Sequence, residues 1–141
     1  MRGACLCGAV TLDVSGDPDA MRAELTACHC DPCRTWTGAV LWGFDAPRDA
    51  VVVTGAVATY RSSDFARRAW CPACGTQLWF ADDDGPLELN PGLFEATRDW
   101  PLARVVYADR AAAHAVLAGE HRRVSKAAYE ARARHAPDAG A

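Results

Sequence analysis

Seven cysteines in three tight clusters constrain this chain more than anything else in it: Cys5-Leu6-Cys7, Cys28-His29-Cys30-Asp31-Pro32-Cys33 and Cys71-Pro72-Ala73-Cys74. Thiolates at such spacings ligate metal ions, and four of them close a tetrahedral structural zinc site. Seven fill one quartet and leave a trio. An ion held by three protein ligands keeps a coordination position open, and open positions are where chemistry takes place. The arithmetic points to two metal sites of different kinds, one of them catalytic.

The remaining bounds fit that reading. A chain of 141 residues holds one modest core that gains from metal staples. A net charge of −3 and a pI near 5.7 give no electrostatic reason for a nucleic-acid partner. No apolar run reaches membrane-span length, and the start at Met1-Arg2-Gly3 has no apolar stretch of a secretion signal, so no membrane association is expected. Abundant cysteine without an export signal predicts a reducing compartment, by default the cytoplasm, and metal ligation rather than disulfides.

Strand patterns dominate the first three quarters. Val10, Leu12 and Val14 alternate with polar neighbours and end at Gly16-Asp17-Pro18. Ala23 to Ala27 predicts a second strand running into the middle cluster. Ala39 to Phe44 and Ala50 to Thr54 are apolar runs about a turn at Asp45 to Asp49. Shorter strands follow at Thr59-Tyr60, Arg68 to Trp70, Thr76 to Phe80, Leu87 to Leu89 and Ala103 to Tyr107, with a hairpin turn over Asp82 to Pro86. From Asp109 the composition turns to Ala, Arg and Glu. There Ser125 is the predicted N-cap of a helix over Lys126 to His135, which sets Ala128, Tyr129 and Arg132 along one side, and Pro137 to Ala141 is a predicted frayed tail. The expected organisation is a zinc-binding β domain over 1–108 with a helical appendage over 109–141.

Each cluster has its own geometry. In Cys71-x-x-Cys74, Pro72 presets a tight turn and Gly75 supplies the left-handed conformation beyond it, so both sulfurs meet one metal. Such a knuckle needs a second pair, and either other cluster offers one. Cys5 and Cys7, two apart, share a face of an extended segment with Leu6 packing on the other side. Cys28 and Cys30 do the same, and Cys30-x-x-Cys33 adds a knuckle, so three sulfurs converge from six residues. His29 then points away from the trio, as a hydrogen-bond donor or pocket wall rather than a ligand. His114, His121 and His135 read as solvated surface residues.

Three thiolates leave a zinc unit with a net negative charge, which makes it a weak activator of water. It accepts a further thiolate readily and lowers that thiol's pKa. The electronically sensible substrate is a thiol poised to attack an electrophile such as an aldehyde. Trp36 and Trp42 read as core residues with an option to wall the pocket.

Taken in order, Gly3-x-Cys5-x-Cys7-Gly8-Ala9-Val10, Cys28-His29-Cys30-x-x-Cys33-Arg34 and Arg68-x-x-Cys71-x-x-Cys74-Gly75-Thr76-x-Leu78 resemble the glutathione-dependent formaldehyde-activating family, more faintly through Gly92-Leu93-Phe94-Glu95. The resemblance implies a mainly β, β-tent zinc fold of small coiled antiparallel sheets. It implies that Cys5, Cys7, Cys71 and Cys74 hold a structural Zn2+, and that Cys28, Cys30 and Cys33 hold a catalytic one. It further implies addition of a glutathione-like thiol to formaldehyde or another small aldehyde, formally a carbon–sulfur lyase run backwards, with Arg34, Arg67 and Arg68 as candidates to hold the thiol's carboxylates or a developing alkoxide. The alternative is a non-catalytic zinc module for a protein partner, which predicts a fourth protein ligand on the second metal, or no second metal.

Overall fold

Leu12 and Val14 face inward from an extended segment whose intervening Asp13 is exposed, the alternation expected of a half-buried strand. The computed structural model describes residues 1–16, 21 and 23–138, so the predicted turn residues Asp17 and Pro18 and the last part of the predicted tail, 139–141, lie outside the described residues. The strands are β1 Arg2–Ala4, β2 Thr11–Val14, β3 Leu25–Cys28, β4 Leu41–Ala46, β5 Val51–Thr54, β6 Ala58–Arg61, β7 Ala66–Trp70, β8 Gln77–Asp82, β9 Leu87–Leu89, β10 Leu102–Val106 and β11 Arg122–Val124. Helix α1 spans Asp31–Thr37 and α2 spans Lys126–Glu130. The chain is mainly β with a C-terminal helix, as expected. No helix among the described residues is long and apolar enough to cross a membrane.

The contacts divide the chain into two compact units, one of Met1–Ala23 with Gly43–Trp100, the other of Glu24–Trp42 with Pro101–Ala141. The first contains Cys5, Cys7, Cys71 and Cys74, the second Cys28, Cys30 and Cys33.

In the first unit β1, β2 and β5 pair antiparallel, and β6 to β9 form an antiparallel run that continues through Phe44–Ala46 of β4. Its core gathers Val10, Leu12, Phe44, Leu78 and Leu89, each at most 2% exposed. Phe44 takes the edges of two rings, Phe94 at 5.5 Å and Trp100 at 5.1 Å between centroids. Close approach explains Gly3: a Cβ there would lie 2.7 Å from Phe94 Cε1 and 2.8 Å from the Leu93 carbonyl oxygen.

In the second unit β3 and β11 flank β10, and both pairs are parallel. This departs from the all-antiparallel expectation. Parallel partners need a long crossover, and the 107–121 segment supplies one between β10 and β11 with two short 3-10 turns, at Ala108–Arg110 and Ala113–Ala115. The expected helix is also shorter. Ser125 caps it as predicted, its Oγ accepting from the Ala128 N–H at 3.2 Å, but α2 ends at Glu130. A five-residue helix draws little from propensity, and tertiary contacts set its length. The chain beyond it turns back, and Lys126 Nζ meets Asp138 Oδ2 at 2.5 Å, so this part of the predicted tail is docked.

Truncating Phe44→Ala removes the ring at the centre of the aromatic triad. It is expected to cost about 3–5 kcal/mol of stability, read as a shifted denaturant midpoint; a loss below about 1 kcal/mol would contradict this packing.

Candidate metal centres

The sulfurs of Cys5, Cys7, Cys71 and Cys74 lie within 4.8 Å of one another, although the two pairs are far apart in the chain. Tetrahedral zinc with Zn–S bonds of about 2.3 Å separates its sulfurs by about 3.8 Å. The Cys5–Cys7 and Cys7–Cys71 separations, 3.6 and 3.8 Å, fit that ion.

Local turns deliver these sulfurs. Cys71 to Thr76 closes as predicted: the Gly75 N–H donates to the Cys71 carbonyl and the Cys71 N–H to the Thr76 carbonyl, both at 2.9 Å, with Gly75 at φ 74°. Cys5 to Gly8 is also a turn, with the Gly8 N–H donating to the Cys5 carbonyl at 2.9 Å. The extended geometry expected there does not occur, and Leu6, at the tip of the turn, is 88% exposed rather than packed.

Donors surround this quartet. The Val10 N–H donates to Cys5 Sγ at 3.2 Å, and together with the neighbouring thiols it outweighs burial to hold that thiol below its ordinary pKa. Thr76 joins the two pairs: its Oγ1 accepts from the Leu6 N–H at 3.1 Å and lies 3.1 Å from Cys74 Sγ. With the lone pair engaged by Leu6, the hydroxyl proton points to sulfur, and this contact with the Thr76 backbone N–H draws the Cys74 thiol down to about 5.

The second cluster is local, as its spacing predicts. Cys28 ends β3, Cys30 is the N-cap residue of α1 and Cys33 is buried in that helix's first turn, with all three sulfurs within 4.8 Å of one another. Pro32 in the first turn explains why Cys30-x-x-Cys33 starts a helix here. The helix itself was not predicted; an Asp-Pro-x-Arg start is its signature in retrospect. Hydrogen bonds shared with Cys30 and then Cys33, together with burial, hold the Cys28 thiol well above its usual range. Three thiols this close favour a shared cation over three separate charges. Among the described residues, no fourth His, Cys, Asp or Glu joins the trio.

His29 stands outside the cluster, as expected, and is fully buried. Its backbone N–H donates to the Val106 carbonyl at 3.1 Å, while neither ring nitrogen has a hydrogen-bond partner among the described residues. Burial, then Arg34, lowers its pKa. His114 and His135 are exposed and His121 is half-buried. Trp36 and Trp42 are half-buried as well.

Arg34 lies one residue past Cys33, where its Nη2 donates to Asp31 Oδ1 at 2.5 Å; Arg110 faces the same carboxylate at 3.4 Å. The Arg34 contact first, and Arg110 with it, hold Asp31 below the usual carboxylate range. Arg68 is on β7 of the first unit, buried, with its guanidinium carbon 5.1 Å from the centre of the Phe80 ring. Arg67, beside it, is exposed.

Sequence reasoning missed Tyr107. It directly follows Val106, the residue paired with Cys28, and is buried at φ 54°, a left-handed conformation rare for a bulky side chain. Its hydroxyl donates to Glu130 Oε1 at 3.0 Å, and burial, then Glu130, then the Cys30 and Cys28 sulfurs, push the phenol pKa up. Backbone strain beside a functional cluster is a recurring sign of a working site, but no sequence pattern announces it.

Fold and clusters define the class: a mainly β protein able to hold two metal ions on cysteine thiolates. A family profile described as glutathione-dependent formaldehyde-activating enzyme matches residues 1–110, and the chain belongs to that family. It is 36% identical over 97 residues to an uncharacterized lyase of Schizosaccharomyces pombe, covering 66% of this chain and 67% of the relative. The crystal structure of a Rhodobacter sphaeroides protein shares the fold with a TM-score of 0.56 at 24% identity, over 73% of this chain and 100% of that one.

Replacing Thr76→Val keeps the shape and removes the hydroxyl that supports Cys74. Metal affinity of the quartet is expected to fall about 10–100-fold, measured by competition with a chromophoric chelator; unchanged affinity would show that the hydroxyl carries no support. Metal analysis is expected to give two ions per chain, with Cys71→Ser and Cys30→Ser each removing one, and only Cys71→Ser markedly lowering the melting temperature.

Proposed function

We propose that this protein is a zinc-dependent carbon–sulfur lyase of the S-(hydroxymethyl)glutathione synthase type, joining a glutathione-like thiol to formaldehyde or another small aldehyde. Cys5, Cys7, Cys71 and Cys74 hold a structural Zn2+, and Cys28, Cys30 and Cys33 hold a catalytic one. The observation that carries the reading is the three-sulfur cluster, which no fourth ligand residue joins among the described residues. Family membership and the relative named a lyase support it. The rival of a non-catalytic zinc module predicts either a fourth protein ligand there, which no described His, Cys, Asp or Glu supplies, or no second zinc at all, which metal analysis decides.

Zinc on the trio would supply an open position for a substrate thiol and lower that thiol's pKa. The reaction is an addition without redox change: sulfur donates a pair to the carbonyl carbon, the C–O π pair moves to oxygen, and the proton lost by the thiol ends on that oxygen. The chain's own contribution is largely positional. Arg34, one residue past Cys33, is held by Asp31, and its buried Nε makes no hydrogen bond among the described residues. Tyr107, kept neutral by its surroundings, and Glu130 form a polar wall near Cys28 and Cys30.

The test is exchange spectroscopy of glutathione with formaldehyde. The protein is expected to accelerate interconversion of free and adduct forms, and Cys30→Ser to abolish the acceleration while the quartet keeps its metal. No acceleration by the two-zinc protein, or full acceleration by Cys30→Ser, would overturn the proposal.

A further inference from the structure

The parallel pairing of β10 with β11 sets Arg104 directly beside Arg122, and Val106 beside Val124. Arg104, Arg122, Arg123 and Arg132 line a single pocket of about 300 Å³ that also takes in Val106 and Tyr129. Ala128 and Tyr129 of α2 and Arg132, in the turn just beyond it, all line this pocket. Arg123 donates to the Leu117 carbonyl at 2.8 Å. Arg104, Arg122 and Arg132 form no ion pair among the described residues. Of the carboxylates in this unit, Asp31 is engaged with Arg34 and Arg110, Asp138 with Lys126, and Glu130 with Tyr107.

Like charges on directly paired positions repel, and a sheet keeps them at a cost unless something neutralises them. Arg104, Arg122 and Arg132 on the lining of one hollow, in a chain of net charge −3, call for an anion. We infer that this pocket binds the carboxylates of the thiol substrate, and so selects an anionic peptide-like thiol over neutral thiols. This rests on the thiol-addition reading above. Guanidinium groups bind carboxylates through paired N–H bonds, which gives orientation as well as affinity.

The reach is right. Val106 lines the pocket and pairs with Cys28, so the pocket and Cys28 share one face of the β3-β10-β11 sheet. Two strand spacings across and two residues along place the Arg122 backbone about 12 Å from that of Cys28, and the arginine side chain closes half of that gap. A tripeptide-sized thiol spans about 10 Å. Arg122, Arg123 and Arg132 fall beyond residue 110, where the family profile ends, so this device belongs to the chain's own C-terminal segment.

The probe is S-methylglutathione, which keeps both carboxylates and has no free thiol, followed by titration calorimetry. The wild type and Cys30→Ser are expected to bind it alike, and Arg104→Ala/Arg122→Ala at least tenfold more weakly, with binding of all three weakening as salt rises. Single Arg122→Ala and Arg132→Ala variants, each at an exposed side chain, give the same reading should the double variant melt early. Undiminished binding by these variants would overturn the assignment. So would inorganic phosphate binding as tightly as the probe, which would make the pocket a phosphate site. Arginine-dependent binding without any acceleration of formaldehyde exchange would uphold the pocket and overturn the reaction, so the two failures are distinct.

Discussion

Sulfur atoms packed within 4.8 Å of one another cannot all be charged unless a cation sits among them. At about 4 Å, two unit charges repel by about 4 kcal/mol at an effective dielectric of about 20, and a trio contains three such pairs. That is comparable with the whole stability of a small domain. The two clusters meet this constraint differently. In the quartet, donors from the Val10 N–H to the Thr76 hydroxyl favour thiolates at Cys5 and Cys74, while Cys7, against the Ala9 backbone, is pushed up to about 11 by Cys74 and Cys5. The trio has mostly its own thiols, which share protons and hold Cys28 high. One cluster is organised as a fixture; the other gains most from what binds it.

The same constraint organises the first unit. Cys7 and Cys71 are 64 residues apart, and sulfurs from both ends must reach one point. Closing a loop of that length carries an entropic cost that grows only slowly with length, so a metal clip offsets it effectively. The backbone turns at Cys5–Gly8 and Cys71–Gly75 fix each pair locally, and Thr76 ties one turn to the other. Gly3 lies against Phe94, and Phe94 against Phe44, so the strand leading to Cys5 is seated on the aromatic core.

What the sequence made legible follows from how local each determinant is. The sulfur trio is written within six residues, and the Leu87–Leu89 strand is bounded by a hairpin turn and Asn90-Pro91, so both were readable. The pairing of the first and last clusters is a long-range fact, reached through family resemblance rather than through spacing. Helix α1 was hidden because a ligand knuckle and a helix start share the same Cys-Asp-Pro-Cys letters. Strand β11 was hidden because Arg122 and Arg123 carry no strand signal of their own; they are extended because β10 offers them an unpaired edge. Tyr107 follows the same rule, since its left-handed backbone is imposed by the chain's exit from β10.

That edge gives the C-terminal segment its meaning. A β10 left open would expose unpaired backbone next to the strand that carries Cys28, so some segment has to cover it. An apolar strand would serve this purpose as well or better. The covering strand instead brings Arg122 into register with Arg104, and the turn after α2, a helix capped by Ser125 and held by Lys126 and Asp138, adds Arg132 to the same hollow. Edge protection accounts for the strand and not for its charge. The charge is accounted for by a ligand, and the pairing of Val106 with Cys28 on the same face puts that ligand within reach of the one sulfur cluster that lacks a fourth partner among the described residues.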